Sequence, residues 1–260
     1  MTKGKSAVVE FVSAITVVLC LSSVPSLFAQ GGPPMLTDDP GTPGSGVWEI
    51  NFAYLQENNR QERLRSFPHV DFNYGLGDNI QLKYETGWLF TDAPEGGGVK
   101  SGLDDSLLGL KWRFQDRERS GLDMSVYPQL QVENPTGSVA RGLADPGPSL
   151  FLPLEVGHDF GKMRLIGEFG YQYFRARENE WVIGLLGVRE MSDALELMAE
   201  VRSFSQNLLN HGEVVVNVGL RQALSPKVKL LASVGTGLTN NVDTPTFLAY
   251  LGVQLVLGEK

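Results

Sequence analysis

From about residue 46 to about residue 257 the chain alternates apolar and polar side chains in runs of roughly ten residues, each bounded by turn residues. Trp48, Ile50, Phe52 and Tyr54 interleave with Val47, Glu49, Asn51 and Ala53. Leu195, Leu197, Ala199 and Val201 interleave with Glu196, Met198, Glu200 and Arg202. A period of two sends alternate side chains to opposite faces of a sheet. The pattern predicts twelve strands, near 46–57, 65–74, 79–90, 103–115, 121–133, 148–157, 162–174, 181–190, 195–204, 213–223, 228–238 and 246–257. Such a pattern fits either a soluble barrel with an apolar inside or a transmembrane barrel with an apolar outside.

Two features favour the membrane. The connections alternate in length: 75–78, 116–120, 158–161, 191–194 and 224–227 are short, whereas 91–102 and 134–147 are long. Short turns on one side and long loops on the other describe an outer-membrane barrel, with the short turns and both termini in the periplasm. Aromatics also fall at both strand ends. Trp48, Tyr74, Trp112 and Phe114 sit at the short-turn rim; Tyr54, Trp88, Phe90, Tyr171, Tyr173, Trp181 and Phe247 sit at the long-loop rim. These are the girdles expected where a bilayer meets water. The expected fold is all-β: a transmembrane up-and-down antiparallel β-barrel of about twelve strands. Pro128 and Pro153 fall inside strands and predict bulges, bends or displaced boundaries. The phase of Trp181–Val188 is unreadable, because both of its faces are apolar.

The ends set the compartment. Residues 1–29 read as a secretory signal peptide, with Lys3 and Lys5 before an apolar run and small residues after it. Cys20, the only cysteine, lies inside that segment, so disulfides and thiolate sites are excluded from the mature chain. Residues 30–45, rich in Gly, Pro and Asp, form a periplasmic leader that dangles or packs at a barrel mouth. The barrel is expected over 46–258, and the chain ends without the terminal aromatic that barrel-assembly machinery usually reads. A net charge of -8 argues against nucleic acid, whose binding needs a basic footprint.

Thr37-Asp38-Asp39-Pro40, Thr42-Pro43-Gly44 and Trp48-Glu49-Ile50-Asn51 resemble the start of a bacterial family of outer-membrane transporters labelled "Meta-pathway of phenol degradation". Asp71–Gly75, Gln81–Glu85 and Gly102–Lys111 continue the likeness through the first half. The resemblance implies an outer-membrane protein, a structural role for the Asp38-Asp39 leader at the periplasmic mouth, and aromatic or other hydrophobic solutes.

With the apolar face in lipid, the other face lines a lumen. Its candidates are Glu49, Asp71, Lys83, Glu85, Lys111, Arg113, Glu168, Glu196, Glu200, Arg202 and Arg221, together with Asp123, Glu133, Arg164, Glu213 and Lys229. Mixed charges serve either as a conduit that selects solutes or as a network that fills the interior. Twelve strands lie between a filled barrel and an open pore. No cofactor is required: His69, His158 and His211 do not converge on one metal, and Gly96-Gly97-Gly98 reads as a loop tip, not a phosphate loop. A hydrolase would need a serine such as Ser66 or Ser125 aligned with a histidine such as His69. The expected protein is a non-enzymatic outer-membrane channel for passive passage of small molecules, with lipid, solute and assembly machinery as its partners. The rivals are an occluded structural or adhesive barrel, an outer-membrane hydrolase and a soluble periplasmic barrel.

Overall fold

The computed structural model describes residues 32–92, 98–144, 146–207, 212–242 and 244–258. The expected signal segment 1–29, with Cys20, and Gly96, Gly97 and His211 lie outside them. Among the described residues there are fourteen strands: β1 (Trp48–Asn58), β2 (Arg63–Gly75), β3 (Ile80–Asp92), β4 (Lys100–Leu103), β5 (Ser106–Gln115), β6 (Leu122–Val126), β7 (Gln129–Val132), β8 (Ser149–Phe160), β9 (Met163–Phe174), β10 (Glu180–Ser192), β11 (Leu195–Ser205), β12 (Glu213–Ser225), β13 (Val228–Gly237) and β14 (Phe247–Leu257). β4 and β5 both pair with β3, and β6 and β7 both lie between β5 and β8. Each couple is therefore one interrupted stave. Twelve antiparallel staves close through β1 and β14, with Trp48 opposite Leu257. Closure leaves no unpaired edge strand in the barrel wall.

The prolines act as their chemistry requires. Pro128 has no amide to give, and the fifth stave breaks between Val126 and Gln129. The register does not slip, since Val126 faces Leu154 and Gln129 faces Phe151. Bonds from Leu110 N to Pro128 O at 3.0 Å and from Tyr127 N to Pro153 O at 3.1 Å bridge the gap. Pro153 stays within β8, opposite Gly170. Neither proline makes a bulge.

Orientation follows the alternation. Trp48 and Phe52 are 42% and 44% exposed on the outer wall, while Asn51 is 1% exposed. Leu82, Leu110, Leu152, Ile183, Val218 and Leu251 continue the outward apolar belt. A monomer in water rarely shows a continuous apolar surface of this kind. Aromatic pairs mark the rims: Trp48 and Tyr74 lie 4.7 Å apart at the short-turn end, and Tyr171 and Trp181 lie 4.8 Å apart toward the other. The ambiguous stretch resolves as well, with Val182, Leu186 and Val188 inward and Ile183 and Leu185 outward. Its inner face is apolar because a leader residue packs there.

Candidate functional site

Residues 32–46 do not lie outside the wall. They climb the lumen from the short-turn end. At the base, Gly46 N bonds to Gly75 O at 2.9 Å, and Thr42 Oγ1 bonds to Asp78 O at 2.6 Å. At the top the segment folds back, with Gly32 N donating to Thr37 O and Met35 N to Gly32 O, both at 3.0 Å. A Gly- and Pro-rich segment can satisfy only part of its own backbone, and the barrel wall takes up much of the rest.

The wall groups come from separate staves. Glu200 on β11 accepts from Leu36 N at 2.9 Å and Thr37 N at 2.8 Å. Arg221 on β12 donates to Pro33 O at 3.0 Å, and Ser233 on β13 donates to Pro34 O at 2.7 Å. Arg202 donates to Leu36 O and Lys111 to Asp39 O. Met35 meets Ile166, Leu186, Val188 and Met198 in a buried apolar cluster. Gly184 leaves room for Thr37: a Cβ there would lie 2.5 Å from Thr37 Oγ1.

Lys111 organises the lower lumen. Its ammonium is 3.2 Å from Asp38 and 3.3 Å from Glu155, and 4.5 Å from the centre of the Tyr127 ring. Burial alone would push the Asp38 carboxyl up. Lys111 and Lys83 outweigh it and hold Asp38 below its ordinary value of 3.8. A depressed carboxyl adds docking stability that is complete above pH 3.8 and is lost as pH falls through the folded-state value. The leader is therefore expected to stay seated at neutral and mildly acid pH and to loosen only below pH 3.8. Proteolysis of the leader as a function of pH checks this, and an Asp38→Asn variant should lack the transition.

The other candidates take definite places. Asp71 is buried between Asn51 at 3.0 Å and Asn73 at 2.9 Å, and Lys83 sits 3.3 Å from Asp71 and 2.7 Å from Glu85. Arg202 pairs with Glu168 at 2.7 Å, Arg221 with Glu196 at 2.9 Å, and Arg164 with Asp123 at 2.7 Å. Lys229 is buried. Glu49 is half-buried at the short-turn end, beside Asn51 and Gln254. Arg113 lies at that rim, bonded to Asp78 O at 2.9 Å and paired with Asp116 at 3.5 Å. Glu133 is exposed past the end of β7, and Glu213 borders the outer vestibule. Of the leader words, Thr37, Asp39 and Pro40 are buried in the lumen, and Trp48 faces outward.

Two spaces remain above the leader. A vestibule of about 720 Å³ lies among the long-loop ends of the staves, and a chamber of about 420 Å³ lies beneath it. Glu57 and Arg202 border both. On the short-turn side of the leader lies a space of about 40 Å³, lined by Asp39, Glu49, Asn51 and Lys111 among others. The leader thus separates a roomy outer lumen from a constricted inner one. Sequence reasoning missed Tyr127 and Glu155, both fully buried here. Pro128 and Pro153, next in the chain or nearly so, obscured their strand phase.

The chamber also joins Glu85 to the Ser66 and His69 that the sequence offered as a candidate pair. Ser66 Oγ is 3.3 Å from His69 Nδ1, and His69 Nε2 is 3.0 Å from Glu85. A register shift in β2 between Ser66 and His69 turns both inward, and Gly87 leaves space for the pair. Among the described residues no group of three or more His, Asp or Glu could hold a metal ion.

No family model matches the sequence, and no curated protein matches it. Solved structures do. The chain is similar to the COG4313 outer membrane channel from Pseudomonas putida F1 at 13% identity, covering 86% of this chain and 100% of that one with a TM-score of 0.64. It is similar to the KdgM porin at 9% identity, covering 81% and 99% with a TM-score of 0.58. The NanC porin matches at 8% identity, covering 80% and 98% with a TM-score of 0.56. At these identities the likeness is one of fold. The chain has the fold of outer-membrane barrel channels and porins.

Proposed function

We propose that this chain is an outer-membrane channel through which small molecules, apolar or aromatic ones among them, diffuse down their gradients. The observation that carries the reading is the chain of spaces along the barrel axis, vestibule then chamber, ending on a leader held by wall side chains. The chamber has a mixed wall of apolar and charged side chains, as a site for small organic solutes requires. The outward apolar belt would face outer-membrane lipid, and the resemblance of residues 37–51 to the phenol-degradation family points to the same class. Refolded protein in a planar bilayer should give single-channel currents, and vesicles carrying it should admit small solutes. Absence of both would leave the occluded structural barrel in its place.

A second reading, ester hydrolysis, has one observation in its favour: the Ser66–His69–Glu85 chain. Against it, Ser66 is buried, and Glu85 is already engaged by Lys83 at 2.7 Å. The channel reading expects no covalent labelling by a fluorophosphonate serine probe. Labelling that disappears in Ser66→Ala would move the assignment to a hydrolase.

A further inference from the structure

The chamber above the leader is not the uniformly polar lumen that a filled charge network would make. Leu55, Leu64, Leu89, Leu107, Leu248 and Phe151 line it. They come from β1, β2, β3, β5, β14 and β8, so the apolar surface is assembled by the barrel and not by one strand. The same space is bordered by the carboxylates of Asp38, Glu57, Asp71, Glu85, Asp104 and Glu168; Lys83 and Arg202 are the permanent cations on its wall, and Lys111 takes Asp38 from outside it.

Both cations are already engaged. Lys83 lies between Asp71 and Glu85, and Arg202 lies on Glu168 while donating to Leu36 O. Glu57 forms no ion pair among the described residues, and it stands at the border between vestibule and chamber. Tyr250 adds a second unused group. Its ring leans over Gly252, where a Cβ would come within 2.8 Å of Cε1, and its buried hydroxyl has no hydrogen-bond partner.

We propose that this chamber binds a small amphipathic cation, an amine carried on an apolar or aromatic body. The leucines and Phe151 remove the body from water, which is the non-directional part of the affinity. The excess of carboxylates favours a positive end and repels an anion of the same shape, and a low-dielectric wall concentrates that field. Glu57 is the carboxylate such a ligand meets where the vestibule opens into the chamber, and the Tyr250 hydroxyl is a free acceptor deeper in. The proposal rests on the channel reading for the route of entry only; occupancy of the chamber is a separate property.

Equilibrium binding distinguishes the two. Titration calorimetry of the full refolded chain in detergent would compare phenethylammonium, phenylacetate and methylammonium. Phenethylammonium is expected to bind saturably and more tightly than either of the others. Glu57→Gln should weaken it about two- to fivefold, the size of one partly solvated charge contact. Leu248→Ala should weaken phenethylammonium and leave methylammonium unchanged. Heat-dependent gel mobility confirms that each variant is folded. Binding of phenylacetate as tight as that of phenethylammonium, or no saturable binding by folded protein, overturns the inference. A protein that binds the amine but carries no current would overturn the channel reading and leave this one standing.

Discussion

Deleting residues 33–42 should raise the single-channel conductance severalfold, because the leader is what stands between the chamber and the inner mouth. Its hold is distributed. Glu200, Arg221 and Ser233 bond the backbone of Pro33–Thr37, Met35 fills an apolar recess, and Lys111 takes Asp38. No single contact of this kind contributes more than about 0.5–3 kcal/mol net, so point changes in the leader should act weakly. A change in the wall can act strongly. Gly184→Val would put carbon where Thr37 now packs and should displace the segment without altering its sequence. Both variants should show the same enlarged conductance and retain heat-dependent gel mobility. Unchanged conductance in the folded deletion variant would mean that the constriction lies elsewhere in the lumen.

The second large effect concerns Lys111. Its side chain is 1% exposed and that of Glu155 is fully buried. Lys111→Met leaves the Glu155 carboxylate among buried groups with only the Ser125 hydroxyl, at 2.5 Å, on its Oε2. Breaking a buried pair from one side costs about 3–5 kcal/mol, whereas replacing both partners by apolar groups is often nearly neutral. The urea midpoint of Lys111→Met in phospholipid vesicles should therefore fall steeply, and Lys111→Met with Glu155→Leu should recover most of the loss. A double variant no better than the single one would show that the pair is not the reason for the loss. Asp38 also loses its partner in both variants, so leader proteolysis should be faster in both.

All twelve staves were legible in the alternation, to within a few residues at their ends. The reason is that most staves carry an apolar outer face and a polar inner one, which writes a period of two into the residues themselves. The loop asymmetry and the positions of Trp48, Trp88, Trp112 and Trp181 near the stave ends showed which end of each stave meets the short turns. The inward charges were readable one strand at a time, but their pairing was not. Arg164 meets Asp123 across 41 positions, and Lys111 meets Glu155 across β6. Such partners are set by stagger around the closed barrel and not by spacing along a strand.

The stretch Trp181–Val188 illustrates the boundary between the two kinds of information. Its residues alone cannot say which face is inside, because Val182, Leu186 and Val188 are as apolar as Ile183 and Leu185. The tertiary structure decides it, since Met35, some 150 positions earlier in the chain, needs an apolar recess on the inner wall. The sequence by itself determined the strands, their alternation and which rim carries the short turns, all of which depend on local periodicity. Only the closed structure decided that the leader enters the lumen, that leucines from five different staves meet above it, and that Ser66, His69 and Glu85 touch. Those contacts depend on where distant staves bring their side chains once the cylinder has shut, and no local pattern encodes that distance.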